Sequence, residues 1–592
     1  MSKAESSVDS INTELEKILT GMEKHNSPLE KALRKLPLSK ADVFFDLEPG
    51  SMTAFKPTDT SLKGSDFEII EKTFPKTLKK HQNKVLTIQG AVKEVQDKRV
   101  AVLFSGGPAA GGHNVLLGLK KGLGPYNTLY GVRSGPQGLM AGDLFELEQE
   151  ALNSVANLGG FDLLGSARTK ITSKEQYEAV KAVVREYKLD GIVIIGGDDS
   201  NTNAAFLAEY LFEMGCSVIG IPKTIDGDLQ AGKLLPISFG FDTAARIYAE
   251  LVGNILQDTP SSRKYWHFIK LMGRSASHVT LEVALKTRPP IALISEEISG
   301  RKMSLNDVVE YVAGIIAYRA GKGINHGVII VPEGLIEFVP EFTMLINELD
   351  DALAGIQAEV SSMSLQQKLA YIKLSLKSAE LLGSLPIDIQ SKLVMDRDAH
   401  GNLQVSQIPT EQLLIMMTEA KIAEMKFEPQ RFFGKGKIEL AKEEIKRFKA
   451  FKFAANHHFF GYEGRCGAPS RFDALYTYNL GLIAASLILN GHTGYMASLN
   501  NLEKGWKALA VPLTGLLNRE HRSGEDRLVI KKALVELDSP AFRYFEKRRQ
   551  TWAKKDVFTN PGPRQFFGET CCTMPFTVAL NQGYSSIEFK IE

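Results

Sequence analysis

From Arg99 onward, short apolar runs rich in β-branched residues alternate with longer amphipathic stretches. The runs include VAVLF, GIVIIGG, SVIGIP, IALISE and GVIIVPEG, and the amphipathic stretches cover residues 175–188 and 203–214. This alternation predicts parallel strands connected by helices. Because the apolar runs are continuous and do not alternate with polar residues, we expect a sheet that is buried on both faces. The pattern therefore predicts an α/β architecture.

The apolar runs disappear over residues 340–450. Segments rich in Leu, Glu, Lys and Gln, such as EIKRFKAFKF, replace them, and their composition favours helix. After this predicted helical insertion, the glycine-rich turn GYEGRCGAP leads into Arg471–Leu489, whose apolar sequence predicts a long helix. Residues 1–95 are charge-rich, contain no glycine-rich phosphate signature and are predicted to be an N-terminal extension.

The composition is typical of a globular protein with more than one domain. The chain has 592 residues, of which 44% are hydrophobic and 24% charged, so it can bury several cores. Lys and Arg number 71 against 69 Asp and Glu, and a net charge of +2 provides no field that would attract nucleic acid. The basic clusters at 435–452 and 547–555 lack interleaved stacking aromatics and are predicted to be solvated faces. We therefore expect no nucleic-acid partner, and any anion site must be local.

Cysteine usage and hydropathy favour a cytoplasmic protein. The four cysteines, Cys216, Cys466, Cys571 and Cys572, form neither a CxxC pair nor a metal-ligand spacing, which is typical of unbridged thiols in a reducing compartment. The N-terminus lacks the uninterrupted apolar core of a signal peptide. The most apolar stretch, residues 480–489, is about half the roughly 20 residues needed to cross a bilayer. We therefore predict that it is a buried helix and that the protein has no membrane association.

The first candidate site is FSGGPAAGGHN, the turn that follows the run VAVLF. Gly106, Gly107, Gly111 and Gly112 would let backbone N–H groups approach an anion ahead of a helix. The turn differs from the Walker pattern because no Lys-Ser/Thr follows the glycines. It also differs from GxGxxG, which disfavours a dinucleotide-binding oxidoreductase. On its own, this segment is as compatible with a tight strand-to-helix turn as with phosphate binding.

Acidic side chains follow the next two predicted strands. In GGDDSNTNAAF, one carboxylate would be explained as a helix cap, but Asp198 and Asp199 together exceed what a cap requires and could hold Mg²⁺ beside a phosphate. The segment GIPKTIDGDL adds Lys223, Thr224, Asp226 and Asp228. This is the composition expected where a phosphoryl group, its metal and an acceptor hydroxyl meet. A salt-bridged turn is the less favoured alternative.

Three further segments, LMGRSASH, VPEG and GYEGR, offer groups that could bind a phosphate ester. Arginine can bind phosphate through two parallel hydrogen bonds, although each segment alone could be structural. The candidate residues in these segments are Met272, Gly273, Arg274, Glu333, Tyr462 and Arg465. His457 and His458 precede GYEGR without ligand spacing to acids or cysteines, so we expect them in a loop and not at a metal.

The ordered set GGDDSNT, PKTIDGD, MGR, PEG and GYEGRCG resembles the phosphofructokinase family from about residue 99 to residue 490. The resemblance implies that Asp226 is the base on the 1-hydroxyl of fructose 6-phosphate, supported by Thr224 and Asp228. It implies a magnesium cofactor near Asp198 and a phosphate contact from Arg168 of GSAR. It also implies that fructose 6-phosphate is held by Thr224, Asp226, Met272, Gly273, Arg274, Glu333, Tyr462 and Arg465.

Two positions indicate the phosphoryl donor. ATP-using members of the family generally have glycine where this chain has Asp199 and Lys223, whereas the pyrophosphate-using branch is similar to this chain at both. The Asp199 side chain would fill the space that the α-phosphate of a nucleotide needs, and Lys223 would supply a charge for compact pyrophosphate. The donor would thus contact Gly106, Gly107, Arg168, Asp199 and Lys223. A further arginine of the family, upstream of MGR, corresponds to either Arg263 or Lys264, and the sequence leaves this choice open.

The resemblance implies reversible, direct in-line transfer from pyrophosphate, with Lys223, Thr224, Asp226, Asp228 and Arg274 at the catalytic centre. The alternatives are an ATP-dependent 6-phosphofructokinase and a non-catalytic regulatory subunit; the latter would be expected to lose the base or the arginines that this chain keeps. We expect a homo-oligomer such as a dimer. We also expect two Rossmann-like parallel-sheet domains with helices on both faces: an N-terminal domain at 96–258 with the pyrophosphate and Mg²⁺ site, and a C-terminal domain at 259–340 and 451–592 with the fructose 6-phosphate site. Residues 1–95 would be the extension and 341–450 the helical insertion.

Overall fold

The computed structural model describes residues 28–41, 44, 51–64, 66–354, 364–374, 376–394, 407–435, 437–522, 525–568 and 574–584. Cys571, Cys572 and the first 27 residues of the predicted extension lie outside these ranges. The strands are β1 (Ser51–Ser61), β2 (Lys84–Lys93), β3 (Arg99–Phe104), β4 (Thr128–Val132), β5 (Leu144–Glu146), β6 (Gly191–Gly196), β7 (Ser217–Pro222), β8 (Trp266–Leu271), β9 (Ile291–Ala292), β10 (Gly327–Pro332), β11 (Ala455–Phe460), β12 (Tyr495–Asn500), β13 (Lys507–Pro512), β14 (Leu517–Arg522) and β15 (Glu525–Ile530).

The helices within the described ranges are α1 (Pro28–Arg34), α2 (Phe67–Thr73), α3 (Pro75–His81), α4 (Gly112–Leu123), α5 (Gly135–Ala141), α6 (Gln149–Ser154), α7 (Lys174–Tyr187), α8 (Asp198–Tyr210), α9 (Phe241–Ser262), α10 (His278–Thr287), α11 (Ser295–Gly300), α12 (Leu305–Gly321), α13 (Pro340–Ala354), α14 (Leu365–Lys373), α15 (Ala379–Ser384), α16 (Ile387–Leu393), α17 (Thr410–Phe427), α18 (Pro429–Phe432), α19 (Lys442–Ala450), α20 (Arg471–Leu489), α21 (Pro540–Lys554) and α22 (Phe576–Gln582).

Two sheets organise the molecule. The larger has the order β1-β2-β13-β12-β7-β6-β3-β4-β5, in which β12, β7, β6, β3 and β4 are parallel and the outer strands pair antiparallel. The smaller has the order β11-β8-β10-β9 and is parallel throughout. β14 and β15 form a separate antiparallel hairpin. The predicted α/β class, with two parallel-sheet units, is confirmed.

The central strands are buried on both faces, as their continuous apolar sequences predicted. Every residue of β6, β7, β8 and β10 is buried. Alternate residues of a strand point to opposite faces, so they enter different cores. In β3, Val102 and Phe104 join a core shared by both sheets, whereas Ala101 and Leu103 join a separate core on the other face. The helices therefore cover both sides of the larger sheet, as expected.

The predicted long apolar helix is α20, which begins and ends at the residues read from the sequence. It crosses α4 at close range: a Cβ on Gly118 would lie 1.9 Å from the carbonyl oxygen of Tyr478, so only glycine permits this approach. Among the described helices, α20 is also the one whose length and hydropathy would suffice to cross a bilayer, and that apolar window is wholly buried inside the protein.

The sheet pairings divide the chain differently from the predicted domain boundaries. β1 and β2, in the predicted extension, form one edge of the larger sheet, where β2 pairs with β13. β12 and β13, predicted in the second domain, complete the larger sheet beside β7. The physical reason for this difference is that β6 pairs with only one edge of β7. The backbone groups of the other edge need a partner strand, and β12 supplies it. The described residues of 340–450 are mainly helical, as their composition suggested.

The two histidines expected in a loop are in a strand, so that expectation is wrong. His457 and His458 belong to β11, which pairs with β8. This pairing brings Nε2 of His458 to 2.9 Å from Nδ1 of His267. Burial and the neighbouring histidines lower the pKa of His458 to about 4, so the imidazole is neutral at physiological pH. The ring pair is part of the packing between the two strands.

Candidate active site

The polar motifs lie where strands of the two sheets end, as the connection between buried strands and helices requires. Segments after β3, β6 and β7 carry the glycine turn, Asp198 and the Lys223–Asp228 stretch. Segments after β8, β10 and β11 carry Met272, Glu333 and Tyr462. The two sets meet, because the guanidinium of Arg465, which follows β11, reaches the carbonyl oxygen of Pro108 in the glycine turn at 3.4 Å.

Three cations converge on the glycine turn. A Cβ on Gly107 would lie 2.7 Å from Nη1 of Arg465 and 3.8 Å from Nη2 of Arg168, and one on Gly106 would lie 3.3 Å from Nζ of Lys223. Missing side chains thus make the room in which these cations sit. The amide of Gly106 itself donates to the carbonyl of Ala167 at 3.0 Å, so this N–H group is already used within the protein. The turn therefore contributes the absence of side chains, which lets the three cationic side chains come close to its backbone.

Lys223 is buried, and its surroundings disfavour the protonated form of its amine. Its pKa is lowered to about 8, first by burial and then by Arg465 and Arg168, while Asp226 and Asp198 oppose the shift. Like charges that are forced together without an anion between them are unfavourable. Binding of a multiply charged anion would therefore stabilise this group of cations. This is the behaviour expected of a phosphate site.

Carboxylates face these cations. Burial, followed by the charge of Asp226, raises the pKa of Asp228 to about 7, so Asp228 carries a proton for part of the time at neutral pH. The backbone N–H of Asp226 donates to the Thr224 hydroxyl at 3.0 Å, and the carbonyl of Thr224 accepts a hydrogen bond from Ser238. These bonds hold the TIDGD turn in place after β7. The site thus combines one partly neutral carboxyl with an aspartate in a defined turn.

Asp198 offers an oxygen that suits a hard cation. Its Oδ2 is buried without a hydrogen-bond partner, and the ammonium of Lys532 lies 3.8 Å away. No cluster of three or more potential His, Cys, Asp or Glu ligands occurs in the described ranges. A magnesium ion here would therefore take most of its ligands from phosphate oxygens and water, as Mg²⁺ commonly does in phosphoryl-transfer sites. The residues present fit such an ion.

Asp199, predicted to fill the space that the α-phosphate of a nucleotide needs, is held in an ion pair. Its Oδ1 lies 3.1 Å from Nζ of Lys170, and both side chains are largely buried, at 18% and 28% exposed. Lys170 stands two residues beyond Arg168 in the sequence. The sequence reading did not identify Lys170.

The second set of candidates surrounds a different part of the cleft. Glu333 accepts a hydrogen bond from the backbone N–H of Gly273 at 2.9 Å, and burial raises its pKa. The backbone N–H of Met272 donates to Phe460, which ties β8 to β11. Arg274 influences the pKa of Glu333, so the MGR and PEG segments are neighbours. The charge of Asp226 also contributes to the raised pKa of Glu333, so these segments lie near the TIDGD turn.

Three of the candidate residues, Tyr462, Arg263 and Lys264, are exposed. Tyr462 is 73% exposed, and its ring lies 5.7 Å from the Arg465 guanidinium. Arg263 and Lys264 are exposed at the start of β8, whereas Met272 follows its end. Six residues of strand span about 20 Å, so both basic residues lie at the other end of β8 from Met272. The choice between Arg263 and Lys264 stays open.

Lys532 is a site residue that sequence reasoning missed. It donates to the Ser275 hydroxyl at 2.8 Å and also affects the pKa of Asp228. It lies in the segment after β15, within the short basic run KKA, and nothing in that run distinguishes it from a solvated surface lysine. The signal available in the sequence was its place two residues after the apolar run LVI.

Comparison with known proteins gives a consistent result. The phosphofructokinase family model matches residues 99–370. The chain is 47% identical to the pyrophosphate–fructose 6-phosphate 1-phosphotransferase of Porphyromonas gingivalis over 82% of this chain and 87% of that protein. It is 46% identical to the protein of the same name from Treponema pallidum over 80% and 82%, and 41% identical to subunit beta 2 from Arabidopsis thaliana over 94% and 96%. With such identities over most of each relative, the chain belongs to the phosphofructokinase family, in its pyrophosphate-dependent branch.

Proposed function

We propose that this protein catalyses reversible phosphoryl transfer from pyrophosphate to the 1-hydroxyl of fructose 6-phosphate, giving fructose 1,6-bisphosphate and phosphate. The observation that carries the proposal is the convergence of Lys223, Arg168 and Arg465 on the glycine turn, opposite the TIDGD carboxylates. The names of the relatives, which share over 40% identity, support the same reaction.

Pyrophosphate would bind at the glycine turn. Its negative charges would relieve the mutual repulsion that lowers the pKa of Lys223, so the lysine is more fully protonated in the complex than in the free enzyme. Gly106 and Gly107 leave the space beside Arg168 and Arg465, and these two guanidinium groups would bind phosphate oxygens. The cluster would also stabilise the charge that spreads over the transferring group, which is the larger part of catalysis in phosphoryl transfer.

Asp226 would accept the proton of the sugar hydroxyl as that oxygen attacks phosphorus, and no covalent phosphoenzyme would form. Thr224 holds the turn that carries Asp226 through the bond from its backbone N–H. Asp228, with a pKa near 7, would place less negative charge near the incoming phosphate than a fully ionised carboxylate would. Met272, Gly273, Arg274, Glu333, Tyr462 and Arg465 would hold fructose 6-phosphate.

We propose Mg²⁺ as the cofactor, held by Asp198. The supporting observation is the buried Oδ2 of Asp198, which lacks a hydrogen-bond partner. When bound, the ion would supply positive charge to the phosphate oxygens. Asp198 begins α8, where its carboxylate is also favoured by the positive end of the helix dipole.

An ATP-dependent phosphofructokinase and a regulatory subunit are less well supported. Asp199 occupies the place where ATP-using members have glycine, and its ion pair with Lys170 holds it there. The base and the arginines that a regulatory subunit would lose, Asp226, Arg274 and Arg465, are present.

Initial rates decide between these functions. Fructose 6-phosphate and Mg²⁺ are supplied with either pyrophosphate or ATP at equal concentration, and fructose 1,6-bisphosphate formation is followed by a coupled assay. We expect turnover with pyrophosphate and little with ATP, together with the reverse reaction from fructose 1,6-bisphosphate and phosphate. Asp226→Asn serves as the inactive control. Turnover with ATP alone would select the ATP-dependent function, and turnover with neither donor would select the regulatory one.

We also propose a cytoplasmic homo-oligomer such as a dimer, in which the pyrophosphate site lies on the unit built around the larger sheet and the fructose 6-phosphate site on the unit built around the smaller sheet. Light scattering coupled to size-exclusion chromatography measures the oligomeric state directly. A mass of one chain, 65.2 kDa, would reject the oligomer.

A further inference from the structure

A short segment after the hairpin β14–β15 crosses the catalytic cluster. We call residues 530–535 the strap. On the donor side, the backbone N–H of Ile530 donates to the Thr202 hydroxyl of α8 at 2.9 Å, and that of Ala533 donates to the carbonyl of Asp228 at 2.7 Å. The strap is therefore attached to the same two segments, after β6 and β7, that carry Asp198 and Asp226.

The other end of the strap is attached to the acceptor side. Nε2 of His278, the first residue of α10, lies 2.9 Å from the carbonyl of Ala533, so this nitrogen is assigned as the donor. The backbone N–H of Val535 donates to Glu296 of α11 at 2.9 Å. The strap thus spans the cleft with hydrogen bonds on both sides, and its position relative to each side is set by backbone atoms.

Lys532 is the one side chain of the strap that joins both sides through its charge. Its Nζ donates to the hydroxyl of Ser275, next to Arg274, at 2.8 Å and lies 3.8 Å from Oδ2 of Asp198. Both side chains of the Lys532–Asp198 pair are about one-fifth exposed, at 21% and 19%. Screening by water is therefore reduced, and an opposite charge at this distance interacts appreciably.

The position of Lys532 has a consequence for cation binding. Asp198 has a neighbouring ammonium ion but no hydrogen-bond donor on Oδ2. A divalent cation bound to that oxygen would lie close to the ammonium, and the two positive charges would repel each other. Removal of the ammonium group should therefore strengthen metal binding at Asp198. It also removes the group that contacts both the Asp198 carboxylate and the Ser275 hydroxyl.

We propose that Lys532 is a positioning residue of the active site: as the resident counter-ion of Asp198, it holds that carboxylate in a fixed relation to Ser275 across the cleft and competes with the divalent cation for it. The effect on turnover rests on the proposed function, whereas the effect on cation affinity does not.

The experiment compares Lys532→Met, Lys532→Arg and a matched control, Lys531→Met, which removes the same charge from an exposed neighbour on the strap. Mn²⁺ affinity is measured without substrates by water-proton relaxation, which detects weak binding of this paramagnetic ion, and kcat and KM are measured with pyrophosphate. We expect Lys532→Met to bind Mn²⁺ at least about fivefold more tightly than wild type, because one unit charge at about 4 Å is removed. Its kcat should fall about tenfold or more, with KM for fructose 6-phosphate within threefold. Lys532→Arg should return both quantities toward wild type, and Lys531→Met should leave both within twofold.

A merely structural lysine would give a different result. It would lower the unfolding temperature of Lys532→Met without raising Mn²⁺ affinity, and an equal or weaker affinity, or an unchanged kcat, overturns the proposal. If Lys532→Met lacks a cooperative unfolding transition, Lys532→Gln, which keeps a polar atom for Ser275, replaces it. If the wild type lacks pyrophosphate-dependent turnover, the proposed function fails while the Mn²⁺ comparison still tests the competition at Asp198.

Discussion

Replacing Asp199 with glycine should allow a nucleotide to compete at the donor site. The carboxylate is not an isolated repulsive charge, because Lys170 lies 3.1 Å from it. Two changes follow from the substitution: the volume of the side chain is removed, and Lys170 loses its Asp199 partner. The released ammonium would be available to the additional phosphate of ATP. We therefore expect Asp199→Gly to use ATP better than the wild type, because the donor site has more space and because Lys170 can interact with a phosphate of ATP.

The size of the charge effect follows from the geometry. At 3.1 Å, a pair of unit charges interacts by about 1.3 kcal/mol in water and about 5 kcal/mol at an effective dielectric constant of about 20. Since both side chains remain partly exposed, screening and side-chain entropy reduce the net value to about 1–2 kcal/mol. If ATP recovers that interaction with Lys170, its kcat/KM should rise roughly 5- to 30-fold. Pyrophosphate should lose no more than about tenfold.

Two further variants separate space from charge in the same coupled assay. Asp199→Asn keeps the volume and removes the charge, so ATP should remain excluded. Lys170→Met removes the partner, so pyrophosphate use should fall without any gain for ATP. Because Asp199 lies in the first turn of α8, glycine there also costs up to about 1 kcal/mol of helix stability, which the unfolding temperature reports. Equal ATP use by Asp199→Asn and Asp199→Gly would refute the role of side-chain volume. If neither variant binds a nucleotide, Asp199 does not determine the choice of donor.

Three other substitutions test the remaining assignments. Asp226→Asn should lower kcat by roughly 10²–10⁴-fold, the usual effect of losing a general base, while the Kd of fructose 6-phosphate changes little; retained kcat removes Asp226 from that role. Arg465→Ala should raise KM for fructose 6-phosphate and, because the guanidinium also lies at the glycine turn, KM for pyrophosphate; unchanged values for both would make GYEGR a structural turn. Asp228→Asn should raise the unfolding temperature more at pH 8 than at pH 5. The folded carboxyl, with a pKa near 7 against 3.8 ordinarily, holds a proton that the unfolded chain has released, so its contribution to stability falls as pH rises through this window. A pH-independent difference would contradict that pKa.

Most of the larger elements could be predicted because a buried parallel strand is recognisable from its own short run of apolar residues. β6, β7 and β10 are continuous apolar runs, and the polar residues that follow them mark the ends of the strands. β1 could not be recognised because it is a partly exposed edge strand that contains Pro57 and pairs antiparallel with β2. β11 contains two histidines and is only partly buried, so its sequence lacks a strand pattern. Its strand state depends on pairing with β8.

The site was predictable to the extent that it follows strand ends. The glycine turn, Asp198 and the TIDGD turn were found because each comes directly after an apolar run. Lys170 and Lys532 were missed because the chain brings them to the site from irregular segments, where a lysine has no distinguishing neighbours. Their roles depend on tertiary distances to Asp199 and Asp198, which no local pattern encodes.

The pairing of β12 with β7 has a consequence for synthesis of the chain. β7 ends at Pro222, but β12 begins only at Tyr495. At roughly 5–20 residues per second, translation of the intervening chain takes on the order of 15 to 50 seconds. During that time the β7 edge of the nascent sheet has no strand partner of its own, and an open edge is a template for pairing with another chain. Nascent chains halted before residue 495 should therefore bind chaperones or aggregate, and release of the completed C-terminal segment closes the sheet that the N-terminal half began.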